Sequence, residues 1–455
     1  MKKNSIFFLL YLFFLAFIPL VRALIPLLPE ILIPKYYIMI LWGIPIYLSN
    51  RLNNTYSLMI SMFWIVWFLL GSVNIIASYF VYGHWYLFDV EQTNLIYFFY
   101  VTTFIFGLLL VEKFINKLTH LYKFNKKVSD IKKDKLLSDV NPAVGFVLII
   151  FPFIWFFSVF VNIGYVPLLS GLNIEENMYT DDFGPLYGFT GINILSMLYV
   201  FDKIVNETLK IKVRLYSFLL FIYMFISVMN GKRMILIIFF SAALCFYIKS
   251  KGVKAFNFYF ISVSFIIVIL FYSSILFLRQ GKGKVRNSNT ASTFSIVGVE
   301  YRDFAWAINN IDPKDLLKHD WAASTFASGI NSSILSFFGV NKYEETHKAL
   351  GFVSKPLFMG GFFGVRTGLI SELFFAYKYY GLLIIFLFGV LIGWISKLIA
   401  ETKSKFILLF LSATFSLFFL IVLEQSIDVV GTLPVFLYFW LLSITILIPL
   451  HGRRK

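Results

Sequence analysis

Two cations interrupt an apolar stretch of the chain in the sequence "VMNGKRMILII" (228–238). Residues 218–248 are apolar, aromatic or small except around Lys232 and Arg233. A helix that begins at Arg233 would present its unbonded first-turn amides beside both cations, and such a site favours an anion. The alternative explanation is ordinary snorkelling to a membrane interface, or the closing of a helix end.

A second cationic group lies in "FLRQGKGKVRN" (277–287), directly after another apolar stretch. Arg279, Lys282, Lys284 and Arg286 fall within eight residues, and the intervening glycines would let the backbone approach a ligand closely. A solvated basic run is the simpler explanation for this segment. It is weakened by the predicted topology described below, which places the run on the outer face, where basic residues are disfavoured.

Carboxylates and further arginines follow in three short motifs. These are "VEYRDFAWAINN" with Glu300, Arg302 and Asp303, "FFGVRTGLISELFFAYKYYG" with Arg366 and Glu372, and "LEQSIDVVGT" with Glu424 and Asp428. Acids at a membrane edge are functional candidates by default, although pairing with the arginines would also explain each of them.

The combination predicts a diphosphate site with a general base beside it. Arginine binds phosphate through a bidentate fork, and a carboxylate can accept the proton of a hydroxyl nucleophile. Aromatic residues between 301 and 343 could stack on sugar rings. No nucleotide-binding loop or metal-ligand spacing occurs, and His84, His319 and His347 are isolated in sequence, so we expect neither metal nor cofactor.

The composition requires that these residues be positioned by membrane helices. Of 455 residues, 59% are hydrophobic and only 14% are charged, against about 25% charged in soluble domains. The net charge of +16 is explained by basic cytoplasmic loops rather than by nucleic acid. We therefore expect an all-α, polytopic protein with a single transmembrane domain over 1–455.

Apolar stretches of about 20 residues predict twelve spans. They cover 5–21, 33–49, 56–80, 93–111, 142–163, 187–201, 214–229, 233–248, 255–278, 374–395, 406–423 and 433–450. The first resembles a signal peptide, but it lacks a small-residue cleavage site and is interpreted as a signal anchor.

The distribution of basic residues predicts the orientation. With the N-terminus in the cytoplasm, the tails and short inward connections carry 24 of the 40 Lys and Arg, so both termini are expected inside. Residues 112–141 form a basic cytoplasmic loop, expected to lie near anionic lipid. Residues 279–373 form an extracytoplasmic loop with short helices, and a loop of this length is usually functional when ordered.

At these motifs the chain resembles the O-antigen polymerase family, the oligosaccharide repeat-unit polymerases, and is similar in layout to enterobacterial common antigen polymerases. The resemblance covers roughly 140–445 and is carried by "NGKR", "EYRDFAWAINNID", "GLISELFFAYKYYGLLIIFLFGVLIGWI" and "EQSIDVVGTLPVF". The sequence "RTGLISEL" departs from the small-residue, Ser/Pro-bearing approach expected before the glutamate. This departure leaves open which carboxylate is the base.

The resemblance implies an inverting, metal-independent glycosyltransferase in the bacterial cytoplasmic membrane. A glycan on undecaprenyl diphosphate would pass to the hydroxyl of a second lipid-linked repeat unit, building O-antigen or capsular polysaccharide. A separate co-polymerase that sets chain length would be usual for the family, and no nucleic-acid partner is expected.

Roles follow from the same resemblance. Arg233 and Arg279, assisted by Lys232, would bind the donor diphosphate, and Arg302 and Arg366 would contact the second diphosphate or the acceptor. Glu372 is the first candidate base, with Asp303, Glu300 and Asp428 as alternatives, and Glu300 could instead contact the glycan.

Two other functions remain open at this point. A glycan ligase would share the outer arginines and the large loop, and would use a loop histidine such as His319 or His347. A flippase for lipid-linked sugar would do no chemistry, but transporters tend to show repeated halves and helices broken near the midplane. This chain has no such repeat, and its charges gather at one face.

Overall fold

The computed structural model describes residues 40–82, 89–123, 140–166, 189–229, 233–252 and 368–423, together with single positions in 301–308, at 339 and in 436–443. In this part of the chain the secondary structure is overwhelmingly helical and contains no strand. Three of the described helical segments are long and apolar enough to cross a membrane: Val90–Phe114, Pro142–Ile163 and Lys378–Glu401. The prediction of an all-helical protein with membrane-spanning helices is confirmed at this level, while the count of twelve spans remains a prediction.

The described helices follow the predicted spans closely in the middle of the chain. In chain order they are α1 Gly43–Ser49, α2 Thr55–Tyr82, α3 Val90–Lys123, α4 Pro142–Ile163, α5 Thr190–Asn206, α6 Lys210–Met229, α7 Arg233–Lys251, α8 Gly368–Tyr377, α9 Gly381–Glu401 and α10 Lys405–Leu423. The predicted spans 5–21 and 255–278 lie outside the described residues. Of 433–450, only residues 436, 437 and 439–443 are described, and these are helical.

Helix α4 has the bounds expected from its sequence because both ends carry strong signals. The Asn141 side chain accepts a hydrogen bond from the Ala143 amide at 2.9 Å, and Pro142 occupies the first helical position. At the other end Gly164 adopts a left-handed φ of 73°, which closes the helix. Such local signals operate without tertiary context, so the sequence can reveal them.

The predicted span 374–395 is divided differently in the structure. Helix α8 ends at Tyr377, a 3₁₀ turn covers Lys378–Tyr380, and α9 begins at Gly381. Lys378 has a left-handed φ of 51°, and its carbonyl accepts a hydrogen bond from the Tyr100 hydroxyl of α3 at 2.6 Å. The break therefore coincides with a long-range contact, and the sequence around Lys378 does not specify that partner.

Helix α3 continues to Lys123, whereas its span was predicted to end at 111. The first part of the predicted loop 112–141 is thus helical. No glycine or proline interrupts "EKFINKLTHLYK", so the helix extends beyond the apolar stretch that would lie in lipid.

Glycines allow α3 and α9 to pack with their backbones in contact. A Cβ added at Gly389 would lie 2.2 Å from the Phe104 carbonyl oxygen, and one added at Gly107 would lie 2.5 Å from that of Phe386. Small residues at crossings are how membrane helices approach closely. Helix α10 lies between the two halves of the bundle, since it contacts α2, α8 and α9 on one side and α5 and α7 on the other.

The connections predicted to face the cytoplasm contact one another at one end of the bundle. The amides of Asn53 and Asn54 donate to the Glu112 carboxylate at 2.8 and 2.9 Å. Lys249 donates to the Ala400 carbonyl, which links the end of α7 to the end of α9. This grouping agrees with the predicted orientation, in which these connections lie on the same side of the membrane. The membrane face at which this end lies remains a prediction.

Candidate functional site

Glu372, the first candidate base, lies on the short helix α8. The helix begins at Gly368, which has a left-handed φ of 71°, and the Ser371 hydroxyl donates to the Gly368 carbonyl at 3.0 Å. Helix α8 packs against α3, α9 and α10, and Glu372 is only 4% exposed. The carboxyl-bearing helix is therefore part of the packed bundle, although residues up to 373 were predicted to belong to the outer loop.

A segment of the predicted outer loop packs directly on α8. Tyr301, Phe304, Ala305 and Ala307 are almost completely buried. The Phe304 ring lies edge-on to the rings of Phe374 and Phe375, with centroids 5.7 and 5.2 Å apart. Such aromatic pairs contribute about 0.5–1.5 kcal/mol each beyond their buried area. The sequence neighbours of Arg302 and Asp303 are thus fixed against the helix that carries Glu372.

The same segment is attached to the beginning of α3. The Asp89 amide donates to the Ala305 carbonyl at 3.0 Å, and the Tyr97 ring lies 5.2 Å from the Tyr301 ring. On α2, a Cβ added at Gly71 would lie 2.6 Å from the Tyr301 Cβ, so only glycine admits this approach. Three separated parts of the chain, 301–308, α3 and α8, therefore meet at one place.

Most of the predicted site residues lie outside the part of the chain that the structure describes. Arg233 is the first residue of α7, as predicted, and its helix follows α6 after three residues. Those outside the described residues are Lys232, Arg279, Glu300, Arg302, Asp303, His319, His347, Arg366, Glu424 and Asp428. The structure thus brings together the elements that carry Glu372 and flank Arg302 and Asp303. The diphosphate contacts remain a prediction.

A buried ion pair at the opposite end of the bundle was missed by the sequence analysis. Asp202 of α5 is 1% exposed, and its Oδ1 lies 3.8 Å from the Lys405 Nζ of α10. The same Oδ1 accepts a hydrogen bond from the Asn206 Nδ2 at 2.6 Å. Both charges were assigned to inward connections, and no local pattern indicates that two distant connections share one pair.

Asn193 near the beginning of α5 is a second polar group that the sequence analysis missed. Its side chain is 1% exposed, and neither its amide nitrogen nor its oxygen has a hydrogen-bond partner among the described residues. An unsatisfied buried polar group costs about 1–3 kcal/mol. An asparagine within an apolar run was the available sequence signal.

Among the described residues no cluster of three His, Cys, Asp or Glu could hold a metal ion. Comparison with known proteins identifies no relative: neither a protein family, nor a curated protein, nor a solved structure matches the chain.

Proposed function

We propose that the protein polymerises undecaprenyl-diphosphate-linked oligosaccharide repeat units on the outer face of the cytoplasmic membrane. The observation that supports this most is the packing of the 301–308 segment against α8, with the Phe304 ring edge-on to the rings of Phe374 and Phe375. In a polymerase this packing would join the segment that contains "EYRD" to the helix that carries Glu372. The motif resemblance and the helical membrane architecture support the same function.

The reaction that fits these groups is an inverting glycosyl transfer. The acceptor hydroxyl, at the non-reducing end of one lipid-linked unit, attacks the anomeric carbon of the donor glycan. A carboxylate accepts the hydroxyl proton as the new carbon–oxygen bond forms. The bond between the anomeric carbon and the diphosphate oxygen breaks with inversion, and undecaprenyl diphosphate leaves with the bonding electron pair.

Within this proposal each group has a distinct role. Glu372 is the base, while Arg233 and Arg279 stabilise the negative charge that develops on the leaving diphosphate. The burial of Glu372 suits a reaction from which water must be excluded, because water would compete with the acceptor for the donor.

The test is an assay of purified protein with a synthetic lipid-diphosphate repeat unit, without added metal and with products resolved by length. A ladder that advances by one repeat unit is the expected product. Vectorial movement of the same lipid in liposomes without a ladder would contradict the proposal and establish a transporter. Transfer only onto a different acceptor, lost when His319 and His347 are both replaced by alanine, would establish a ligase.

The diphosphate role has its own test in Arg233→Ala. We expect this variant to abolish the ladder while protein level and unfolding temperature stay unchanged. Arg214→Ala is the matched control, because Arg214 is exposed on α6 near the opposite end of the bundle. A normal ladder from Arg233→Ala would overturn the diphosphate assignment.

A further inference from the structure

An open groove of about 1750 Å³ lies between α1, α3 and α9, away from α8. This is larger than the roughly 300–1,000 Å³ typical of pockets for small ligands. Its apolar wall includes Phe106, Leu110 and Phe114, which are spaced four residues apart on α3 and are about half exposed. They lie in the last part of the membrane-spanning stretch Val90–Phe114, so the groove opens where acyl chains would lie.

The mouth of the groove is cationic and polar. Arg51 and Lys113 both line it, together with Asn50 and Asn53. No carboxylate oxygen lies within 4.0 Å of either cation in the described part of the chain. Among the described residues, therefore, no carboxylate pairs with the positive charge at this mouth.

The cationic mouth is held in place by two separate contacts. Arg51 donates to the Tyr47 hydroxyl, and its guanidinium carbon lies 4.9 Å from the centroid of the Tyr47 ring. The Glu112 carboxylate, the nearest acid in sequence to Lys113, is occupied by the amides of Asn53 and Asn54. This anchors the α1–α2 turn to α3, and an anchored site loses less entropy on binding than a free loop would.

We propose that this groove binds one anionic phospholipid of the leaflet that faces the cytoplasm. Arg51 and Lys113 would contact the headgroup phosphate, and the apolar wall on α3 would contact an acyl chain. A cationic mouth directly above an apolar groove matches an anionic amphiphile, since neither a soluble anion nor a neutral lipid uses both parts. The groove is a different part of the molecule from the proposed transfer site, and lipid binding there does not depend on the proposed function.

The test measures lipid retained by the full-length protein in native mass spectrometry, from micelles containing equal phosphatidylglycerol and phosphatidylcholine. We expect preferential retention of one phosphatidylglycerol, and a loss of its apparent affinity on the order of tenfold in the Arg51→Ala/Lys113→Ala double variant. The matched control is Lys210→Ala/Arg214→Ala, which also removes one Lys and one Arg from exposed positions at the same end. Unfolding temperatures of both variants check that each is folded.

Three results would overturn the inference. Equal losses in the two double variants would mean that diffuse positive charge, rather than the groove, retains the lipid. Equal retention of the two lipids by the unaltered protein would mean that the cationic mouth does not select the anionic headgroup. Displacement of phosphatidylglycerol by millimolar inorganic phosphate would mean that the site takes a free anion.

A Leu110→Trp variant tests the apolar wall, and it should weaken retention although both cations remain.

Discussion

Lys405, the first residue of α10, lies with its Nζ 3.8 Å from the Asp202 Oδ1 of α5. A lysine at a helix N-terminus is opposed by the helix dipole, so the buried carboxylate offsets an unfavourable position. The pair joins the central helix α10 to the half of the bundle formed by α4, α5, α6 and α7. It lies at the end of the bundle opposite to Glu372.

Removal of one member of this pair is expected to destabilise the fold. Lys405→Met or Asp202→Asn should each lower the free energy of unfolding by about 3–5 kcal/mol, since the remaining charge stays buried without its counterion. Unfolding by SDS titration measures the loss. Lys212→Met is the control, because Lys212 is exposed in its pair with Glu207 and its removal should change stability by less than about 0.5 kcal/mol. If the double variant Asp202→Asn/Lys405→Met has no higher free energy of unfolding than the single variants, the two residues are not directly coupled.

Helix crossing at Gly389 gives a second prediction. Gly389→Ala should destabilise the protein by at least about 1–3 kcal/mol, because the new Cβ meets the Phe104 carbonyl, which cannot rotate away. Gly393→Ala in the same helix is the matched control, since its Cβ would lie 3.1 Å from the Val111 Cβ, a milder contact that a small shift relieves. Both changes raise helix propensity equally, so equal unfolding temperatures would contradict the close crossing.

Docking of the 301–308 segment gives a third prediction. Gly71→Ala should displace Tyr301 and expose Ala307, which is fully buried in the structure. The chain has one cysteine, Cys245, which is buried, so an Ala307→Cys reporter can be labelled with maleimide against a low background. We expect labelling to be much faster when Gly71→Ala is added. The same rate in both backgrounds would show that the segment does not rest on α2.

The role of Glu372 is separable from its packing. Glu372→Gln keeps the shape of the side chain and should lower the rate of ladder formation by about 10²–10⁴-fold, which is the usual contribution of a general base. Ser371→Ala is the control, because this neighbouring hydroxyl donates to the Gly368 carbonyl of its own helix and its loss should leave the rate nearly unchanged. Full activity of Glu372→Gln would shift the base to Asp303, Glu300 or Asp428.

Acid should weaken the beginning of α6 through Glu207. The amides of Leu209 and Thr208 donate to its Oε1, and the Leu209 amide is the main cause that lowers the pKa of this carboxyl below its ordinary 4.5. A lowered folded-state pKa gives stability that is present above 4.5 and is lost as the pH falls through the folded value. The difference in unfolding temperature between wild type and Glu207→Gln should therefore be largest at neutral pH and vanish in strong acid. A difference independent of pH would contradict this.

The amino-acid sequence by itself determined the helical, membrane-spanning character of the chain and most helix bounds between residues 55 and 251. These depend on local properties: the length of apolar stretches, the Asn141 cap, and the polar residues that divide α6 from α7. Such signals lie within a few residues of the feature they specify. The sequence also identified Glu372 and the "EYRD" motif as candidates at one outer face, without specifying which contacts join the segments that carry them.

Only the tertiary structure decided which distant elements meet. The break at Lys378 coincides with its hydrogen bond with Tyr100. The position of Tyr301 depends on the absence of a side chain at Gly71, and the burial of Asp202 depends on the charge of Lys405. Each relation joins residues more than 200 positions apart, and each depends on shape or charge that becomes complementary only after the helices pack. Periodicity and composition report the environment of one segment, so they cannot specify the partner that another segment supplies.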